Sequence, residues 1–225
     1  MVKVVLVCTS APELNGHPTG LWLEECATPY YAFLEKGYEV ILASPAGGAV
    51  PIDENSLGDE YFTDASKKFM HDAAAVAALC HTKKLDDIDW NSVDAIYLAG
   101  GHGACVDFVD NPTLKSAIET IYAADKVVAA DCHGPIALAQ CKKSDGTPLV
   151  QGKSVTAYSD SEEYAMQLQD AVPFLIESRF KELGAKFEKA EDFHSRACTD
   201  NNIVTGQNPQ SSSACASAVI DILSH

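Results

Sequence analysis

The chain has 225 residues, a length that favours one large domain, or one domain with an appendage, over two full domains. Its composition is 47% hydrophobic and 21% charged, which is typical of a globular protein and excludes a disordered or fibrous one. The formal net charge of −16 repels phosphate backbones and anionic lipids, so nucleic acid and membrane surfaces are poor candidates as partners.

Short Val- and Ile-rich runs alternate with helical stretches along the whole chain. The predicted strands cover 2–8, 38–44, 94–100, 126–131 and 153–159. The predicted helices cover 20–36, 63–81, 111–124, 134–142, 160–183 and 208–224. Because the strands are apolar almost throughout, both of their faces should be covered, as in a parallel sheet. This order predicts an α/β three-layer sandwich, with a flavodoxin-like, mostly parallel sheet and helices on both faces.

Two segments interrupt this rhythm. Residues 45–93 are long for a single crossover, and residues 143–152 are polar with Gly and Pro. We expect a single domain over residues 1–225, in which both segments are insertions that cap the carboxyl edge of the sheet. Open α/β folds bind their ligands at that edge.

The cysteines and the apolar segments indicate where the protein works. The eight cysteines contain no C-x-x-C pair, which favours a reducing compartment with most thiols free. We expect Cys8, Cys26, Cys141 and Cys215 to be packed in the core as small hydrophobic groups. The apolar start MVKVVLVC is too short for a secretory leader, and no run approaches the roughly 18 residues of a membrane span. A cytoplasmic protein is the expectation, with a nuclear location as the alternative.

Motifs for common cofactors are missing or broken. In GTPLVQGKS, five residues separate Gly146 from Gly152 where a phosphate-binding loop has four. The first strand-to-helix connection, CTSAPELNGHPTG, lacks G-x-G-x-x-G, and no histidine and cysteine pair has the spacing of a zinc site. The sequence therefore predicts chemistry without a cofactor or metal.

The segment VVAADCHGPIALAQ (127–140) carries the strongest chemical signal. A buried strand turns sharply into a helix through Cys132, His133 and Gly134, with Pro135 at the first helical turn. This is the pattern of a nucleophile elbow, in which one side chain is lifted out of the backbone path. At a helix N-terminus the Cys132 thiol should have a lowered pKa and form a thiolate. The alternative is a buried core cysteine.

A second glycine-rich turn, GGHGACVDF (100–108), follows another predicted strand and should reach the same edge of the sheet. The amides of Gly101 and His133 would then face a developing oxyanion from two sides. For His102 two interpretations stay open, a wall of the site and a loop histidine that caps a neighbouring carbonyl.

The predicted helix in TGLWLEECATPYYAFLEKG (19–37) places a carboxylate beside a proline. Pro29 has no N–H for the carbonyl of Glu25, so the helix should bend or loosen there. Because Glu24 and Glu25 differ by about 100° around the helix, only one can face inward. Trp22 lies on the same side as Glu25, so we expect Glu25 to be buried and Glu24 to be solvated. The alternative is two surface glutamates.

Together these motifs resemble the ThiJ/PfpI superfamily, and within it the branch of glutathione-independent glyoxalases (glyoxalase III) and stress chaperones. The resemblance extends from KVVLVCTS through LAGGHG, VVAADCHGP and GKSVTAYSDSEE to VTGQNPQSS. It implies that Cys132 is the nucleophile, that His133 is its histidine and that Glu25 is the helix glutamate. The acid that orients the histidine falls on Glu163, with Glu162 and Asp160 as near alternatives. Asp131 is an acid where this branch more often has an uncharged residue, and its charge should raise the pKa of Cys132.

The resemblance implies conversion of methylglyoxal and water to D-lactate without glutathione. The Cys132 thiolate would attack the aldehyde to form a hemithioacetal, and Glu25 or His133 would move a proton from C1 to C2. Gly101, His102 and Trp22 would contact a small 2-oxoaldehyde substrate. Family members are commonly homodimers, so a homodimer is expected.

Three other functions are compatible with these motifs. A redox-sensitive stress chaperone (holdase) would use an exposed, low-pKa Cys132 as its sensor. A protein deglycase would remove early glycation adducts, and a cysteine peptidase or amidase would use the same cysteine, histidine and acid. A glutathione-free assay on methylglyoxal separates the enzyme from the chaperone.

Overall fold

The computed structural model describes residues 1–225. The strands are β1 (Lys3–Val7), β2 (Glu13–Leu14), β3 (His17–Pro18), β4 (Glu39–Ser44), β5 (Lys83–Lys84), β6 (Ala95–Leu98), β7 (Val127–Asp131), β8 (Ser154–Val155), β9 (Lys186–Phe187), β10 (Ala197–Asp200) and β11 (Ile203–Gly206). The α-helices are α1 (Leu23–Glu35), α2 (Asp64–His71), α3 (Ala73–Cys80), α4 (Ala104–Asp107), α5 (Pro112–Ala123), α6 (Asp160–Ala165), α7 (Ile176–Glu182) and α8 (Ser212–Leu223). Short 3-10 segments include Gly134–Gln140 and Pro209–Ser211. No helix combines the length and the apolar character that crossing a bilayer requires.

Seven strands form the central sheet in the order β10-β11-β7-β6-β1-β4-β5. All neighbouring pairs are parallel except β10 and β11, which form an antiparallel hairpin at one edge. Alternate residues of β1 pack into two different cores: Val5 and Val7 on one face, Val4 and Leu6 on the other. Helices α4, α5 and α7 cover the first face, and α1, α2, α3 and α8 cover the second. The predicted three-layer α/β sandwich is therefore confirmed.

The predicted fifth strand, 153–159, is wrong for most of its length. Only Ser154 and Val155 are extended in a ladder, and they pair with β9 outside the central sheet. The hairpin β10–β11, which the sequence analysis missed, takes the place beside β7 instead. Side chains of that hairpin accept hydrogen bonds from backbone amides of the segment 153–159. Asp200 accepts from the Ser154 amide, and Thr205 accepts from the Thr156 amide.

Three predicted helices also differ from the structure. The helix over 63–81 divides at Asp72, whose side chain caps α3 by accepting from the amides of Ala74 and Ala75. The helix over 160–183 ends at Ala165 and resumes at Ile176, with Gln167 in a left-handed conformation between them (φ 59°). The helix over 134–142 is a 3-10 segment. In the first two cases local backbone conformation and capping interrupt an otherwise helical pattern.

Candidate active site

Cys132 stands at a sharp turn directly after β7. Its backbone has φ 55°, a left-handed conformation that is uncommon for a non-glycine residue. A side chain at Gly134 would overlap the carbonyl oxygen of Leu98, so the turn can approach β6 only with glycine there. The chain thus has the expected elbow, with strain concentrated at the residue that carries the thiol.

The Cys132 sulfur begins a chain of hydrogen-bonding groups. It lies 3.3 Å from Nδ1 of His133, and Nε2 of the same ring lies 2.8 Å from Oε2 of Glu163. The second oxygen of Glu163 lies 2.7 Å from Nε2 of His102. A carboxylate at this position accepts an N–H from Nε2, which leaves the lone pair of His133 Nδ1 facing the sulfur.

The other two candidate acids have different partners. Glu162 belongs to a capping box with Ser159 and also accepts from the amide of Phe193. Asp160 accepts from Ser178. Glu163 is therefore the acid that contacts the histidine, as the family resemblance implies.

Burial and charge determine the protonation of this chain of groups. Burial, helped by the neighbouring His102, lowers the pKa of His133 despite the Glu163 carboxylate. Burial acts to raise the pKa of Glu163, but His133 and His102 outweigh it and hold that pKa below its ordinary value. At neutral pH the site therefore contains a neutral imidazole beside an ionised carboxylate.

The expected low-pKa thiolate is wrong. Cys132 is only 3% exposed, and burial raises the pKa of its thiol well above the ordinary value. The hydrogen-bonding contact with Glu25 and the charge of Asp131 raise it further, whereas the amide of Gly101 lowers it. The 3-10 segment after the elbow does not compensate for desolvation and two acidic neighbours. At rest the sulfur is a neutral thiol.

Glu25 enters the site from α1 and is fully buried, as expected. Its Oε2 accepts from the amide of Gly100 at 2.7 Å, and its carboxyl group also contacts the Cys132 thiol. Burial raises the pKa of Glu25 well above its ordinary value, and Asp131 adds to this effect. The helix continues through Pro29, and the missing hydrogen bond falls in its first turn, at the carbonyl of Glu25.

Glu24 is not solvated as expected but half-buried. Partial burial, together with the charge of Asp131, raises the pKa of Glu24 to about 7. Helical rotation separates the two glutamates, but packing around the start of α1 covers the outer one as well.

Two backbone amides are available beside the sulfur. No backbone or side-chain oxygen accepts from the amide of Gly101 or from that of His133. Gly101 has φ 96°, and a side chain there would overlap the carbonyl of Gly20, so only glycine can bring this amide to the site. Free amides next to a nucleophile can bind a developing oxyanion.

A cavity of about 170 Å³ opens onto these groups. Trp22, Gly101, His102, Cys132 and His133 line it, so the predicted wall residues lie together. His102 packs against His133 with ring centres 4.0 Å apart, which selects the site-wall interpretation over the carbonyl cap.

The sequence analysis missed several residues of the cavity wall. The ring of Tyr158 lies 4.3 Å from that of His133, and its amide donates to the carbonyl of Cys132. Its position in GKSVTAYSDSEE, five residues before Glu163, was the available signal. Asp53, Asn55 and Tyr61 come from the segment 45–93, whereas no residue of 143–152 reaches the cavity.

One group of three side chains has the donor atoms of a metal site. It consists of His102, His133 and Glu163, whose ligand atoms lie within 4.8 Å of one another. The Nε2 atoms of both histidines are at hydrogen-bonding distance from the two oxygens of Glu163. Because these nitrogen and oxygen atoms already hydrogen-bond each other, the group is better suited to orienting the imidazole of His133 than to binding a metal ion.

Comparison with known proteins gives consistent results along nearly the whole chain. A model of the DJ-1/PfpI family matches residues 20–222. Glyoxalase 3 of Candida albicans is 32% identical over 98% of both chains. A glutathione-independent glyoxalase of Schizosaccharomyces pombe is 32% identical over 98% of this chain and 95% of its own.

Two solved structures are also similar. The Rapid Encystment Protein 24 KDa of Francisella tularensis has a TM-score of 0.94 at 36% identity, with 99% of each chain covered. The crystal structure of glyoxalase III from Candida albicans has a TM-score of 0.90 at 31% identity, with 98% of this chain and 97% of that chain covered.

Proposed function

This chain belongs to the DJ-1/PfpI family, and from that premise we propose that it is a glutathione-independent glyoxalase that converts methylglyoxal and water to D-lactate. The observation that carries the proposal is the chain Cys132–His133–Glu163, with Glu25 against the sulfur, at the inner end of a cavity of about 170 Å³. A small 2-oxoaldehyde fits such a cavity, and its aldehyde carbon could reach the thiol.

In the first step, His133 acts as the general base. Nδ1 takes the thiol proton while the sulfur attacks the aldehyde carbon, and the electrons of the C=O bond move to oxygen. Glu163 stabilises the imidazolium that forms, and the amides of Gly101 and His133 donate to the oxyanion. Return of the proton from Nδ1 to that oxygen gives a neutral hemithioacetal.

In the second step, the hydrogen on C1 moves to C2. Glu25 is the group we assign to this transfer, because its carboxyl group contacts the sulfur and its raised pKa keeps a proton available beside the substrate. The resulting thioester on Cys132 is hydrolysed by water, which releases D-lactate and regenerates the thiol. Residues 45–93, which we propose to act as a cap, would shield these steps through Tyr61 and Asp53.

Replacement of the nucleophile tests the proposal. Cys132→Ala should abolish D-lactate formation from methylglyoxal in purified protein without glutathione, measured by chiral detection of lactate. Cys141→Ala is the matched control, since Cys141 is also buried but does not line the cavity. Unchanged turnover by Cys132→Ala would reject the covalent mechanism, and no turnover by wild type would reject the function.

A holdase is the second candidate function, because apolar side chains are exposed around the cavity mouth. Tyr61, Met166 and Phe193 line the cavity and are 39%, 44% and 42% exposed. Since Cys132 is a buried thiol with a raised pKa, such an activity would not rest on it as a sensor. Suppressed aggregation of a client protein by Cys132→Ala, with no methylglyoxal consumption by wild type, would select this function instead.

We also propose that the protein acts in the cytoplasm as a homodimer. Family membership supports the dimer, and a C2 pair is the commonest assembly of soluble proteins. Light scattering at twice the monomer mass is the expected result.

A further inference from the structure

Two carboxyl groups meet beneath the reactive sulfur. Oε1 of Glu25 and Oδ1 of Asp131 are both buried, and neither receives a hydrogen bond from an N–H or hydroxyl donor of the protein. The two carboxyl groups lie within hydrogen-bonding reach of each other. Two carboxyl groups can form a hydrogen bond only when one of them carries a proton, so an arrangement with one shared proton fits this pair.

The partners of the pair decide which carboxyl holds that proton. Oδ2 of Asp131 accepts from the Tyr97 hydroxyl at 2.8 Å and from the Ser212 hydroxyl at 2.7 Å. Glu25 accepts only from the amide of Gly100 and faces the thiol of Cys132. Two hydroxyl donors stabilise the negative charge on Asp131, so Glu25 is the neutral acid at rest.

No cation lies beside the pair to compensate a second negative charge. The titratable groups around it are Cys8 directly after β1, Glu24 on α1, Tyr97 on β6, Cys132 at the elbow, Tyr158 after β8, and Cys215 on α8. Loss of the shared proton to solvent would leave two anions in a buried site without a compensating cation.

We propose that Asp131 is a positioning residue that takes the proton of Glu25 and returns it during the reaction, an inference that rests on the proposed function. A neutral Glu25 cannot by itself remove a proton from carbon. Transfer of its proton to Oδ1 of Asp131 makes Glu25 a base at the moment it is needed, without a second charge in the pair.

The step balances as follows. Glu25 passes its proton to Asp131 and removes the C1 hydrogen of the hemithioacetal as a proton; the C1–H electrons form the C1–C2 double bond while the C2=O electrons move to oxygen, which gives an enediolate. Glu25 then gives that hydrogen to C2, the hydroxyl proton moves from the first substrate oxygen to the second, and Asp131 returns its proton to Glu25. The pair changes charge from −1 to 0 and back, while the substrate changes from 0 to −1 and back.

The pH profile of kcat provides the first test. Burial raises the pKa of Asp131 to about 7, against the effects of Ser212 and Tyr97. Below this pH Asp131 is protonated and cannot accept, so wild-type kcat should fall on the acid side of about pH 7. Ser212→Ala and Tyr97→Phe each remove one donor to Asp131 and should move this acid limb upward by about half to one pH unit.

Direct removal of the acceptor provides the second test. Asp131→Asn should lower kcat at pH 8 by at least about tenfold, with KM changed less than about twofold. Asp107→Asn is the matched control, because Asp107 is a half-buried carboxyl that also accepts from a hydroxyl and an amide, those of Thr9 and Ser10, and it should keep the wild-type acid limb. An acid limb unmoved in both hydroxyl variants, or wild-type kcat in Asp131→Asn, would overturn the proposal.

A measurement without substrate separates the pair from the proposed function. The infrared spectrum of wild type at pH 8 should contain the C=O band of one protonated carboxyl group, which Glu25→Gln removes. If that band is present and wild type does not consume methylglyoxal, the proposed function fails while the shared proton stands. If the band is absent, the shared proton itself is refuted.

Discussion

At the scale of single residues, the neutral thiol of Cys132 sets how the reaction begins. Burial together with Glu25 and Asp131 disfavours a resting thiolate, so the sulfur needs a base at the moment of attack. His133 can serve because its own pKa is lowered and its Nδ1 is 3.3 Å away. The site therefore depends on the orientation of one imidazole.

The carboxylate of Glu163 fixes the orientation of the His133 ring. Removing its charge should therefore slow the reaction. Glu163→Gln should lower kcat by about 10²- to 10⁴-fold, because the amide cannot stabilise the imidazolium and allows the wrong tautomer. KM for methylglyoxal should change little, since Glu163 does not line the cavity. Steady-state kinetics at pH 7.5 measure both.

Glu119→Gln serves as a control for the same side-chain change. Glu119 pairs with Lys115 on the surface of α5 and should leave kcat within about twofold of wild type. A Glu163→Gln enzyme within threefold of wild type would show that the ring needs no carboxylate.

At the scale of elements, the parallel pairing of β6 and β7 assembles the site. Leu98 is in register with Ala130, so the turns that follow the two strands leave the sheet at the same edge. One turn supplies the amide of Gly101 and the other supplies Cys132. Helix α1 lies over that edge and contributes Glu25, which the Gly100 amide holds in place.

Because the elbow lies so close to β6, we expect Gly134 to tolerate no side chain. Gly134→Ala should lower the free energy of unfolding by about 2 kcal/mol or more and reduce activity, because its methyl group would overlap the backbone of Leu98. Denaturant unfolding at neutral pH measures the change.

Gly58→Ala is the matched control, since Gly58 has an ordinary φ of −68° and only one near neighbour. It should change stability by less than about 0.5 kcal/mol. Equal effects of the two substitutions would remove the steric argument for the elbow.

At the scale of the whole molecule, acidic groups dominate the electrostatics. The net charge of −16 makes it easier for every carboxyl group to hold a proton, because each one is surrounded by other negative charges. Several carboxyl groups are also buried. Burial raises the pKa of Asp107 to about 6 and that of Glu24 and Asp131 to about 7. The folded protein therefore binds protons more tightly than the unfolded chain, whose carboxyl groups titrate near pH 4.

This difference predicts how stability depends on pH. Groups with a raised pKa stabilise the fold fully below about pH 4, and that stabilisation is lost as pH rises through their folded values near 6 and 7. Glu163, whose pKa is lowered, acts in the opposite sense and loses its contribution only in acid below about pH 4. The free energy of unfolding should therefore be at least about 2 kcal/mol lower at pH 8 than at pH 5.

Urea unfolding across this range measures the slope, and Glu25→Gln, which mimics the neutral acid, should reduce it. Stability that rises from pH 5 to pH 8 would contradict the assignment of these buried acids.

The sequence by itself determined the features that depend on local pattern. Short apolar runs predicted the strands β1, β4, β6 and β7. The Cys132–His133–Gly134 turn predicted the elbow. The rule that parallel strands end at one edge brought Gly101 and Cys132 together. Only the tertiary structure decided that β10 and β11 displace residues 153–159 from the sheet, because that choice depends on pairing between segments distant in the chain.

Protonation also belongs to the tertiary structure. A helix terminus next to Cys132 suggested a thiolate, and a helical wheel suggested a solvated Glu24, but both groups are less exposed in the folded chain than these local patterns imply. A pKa depends on how much water remains around a group and on which charges face it. Local sequence fixes the chemical identity of these groups, whereas the packing of the complete chain sets their charge.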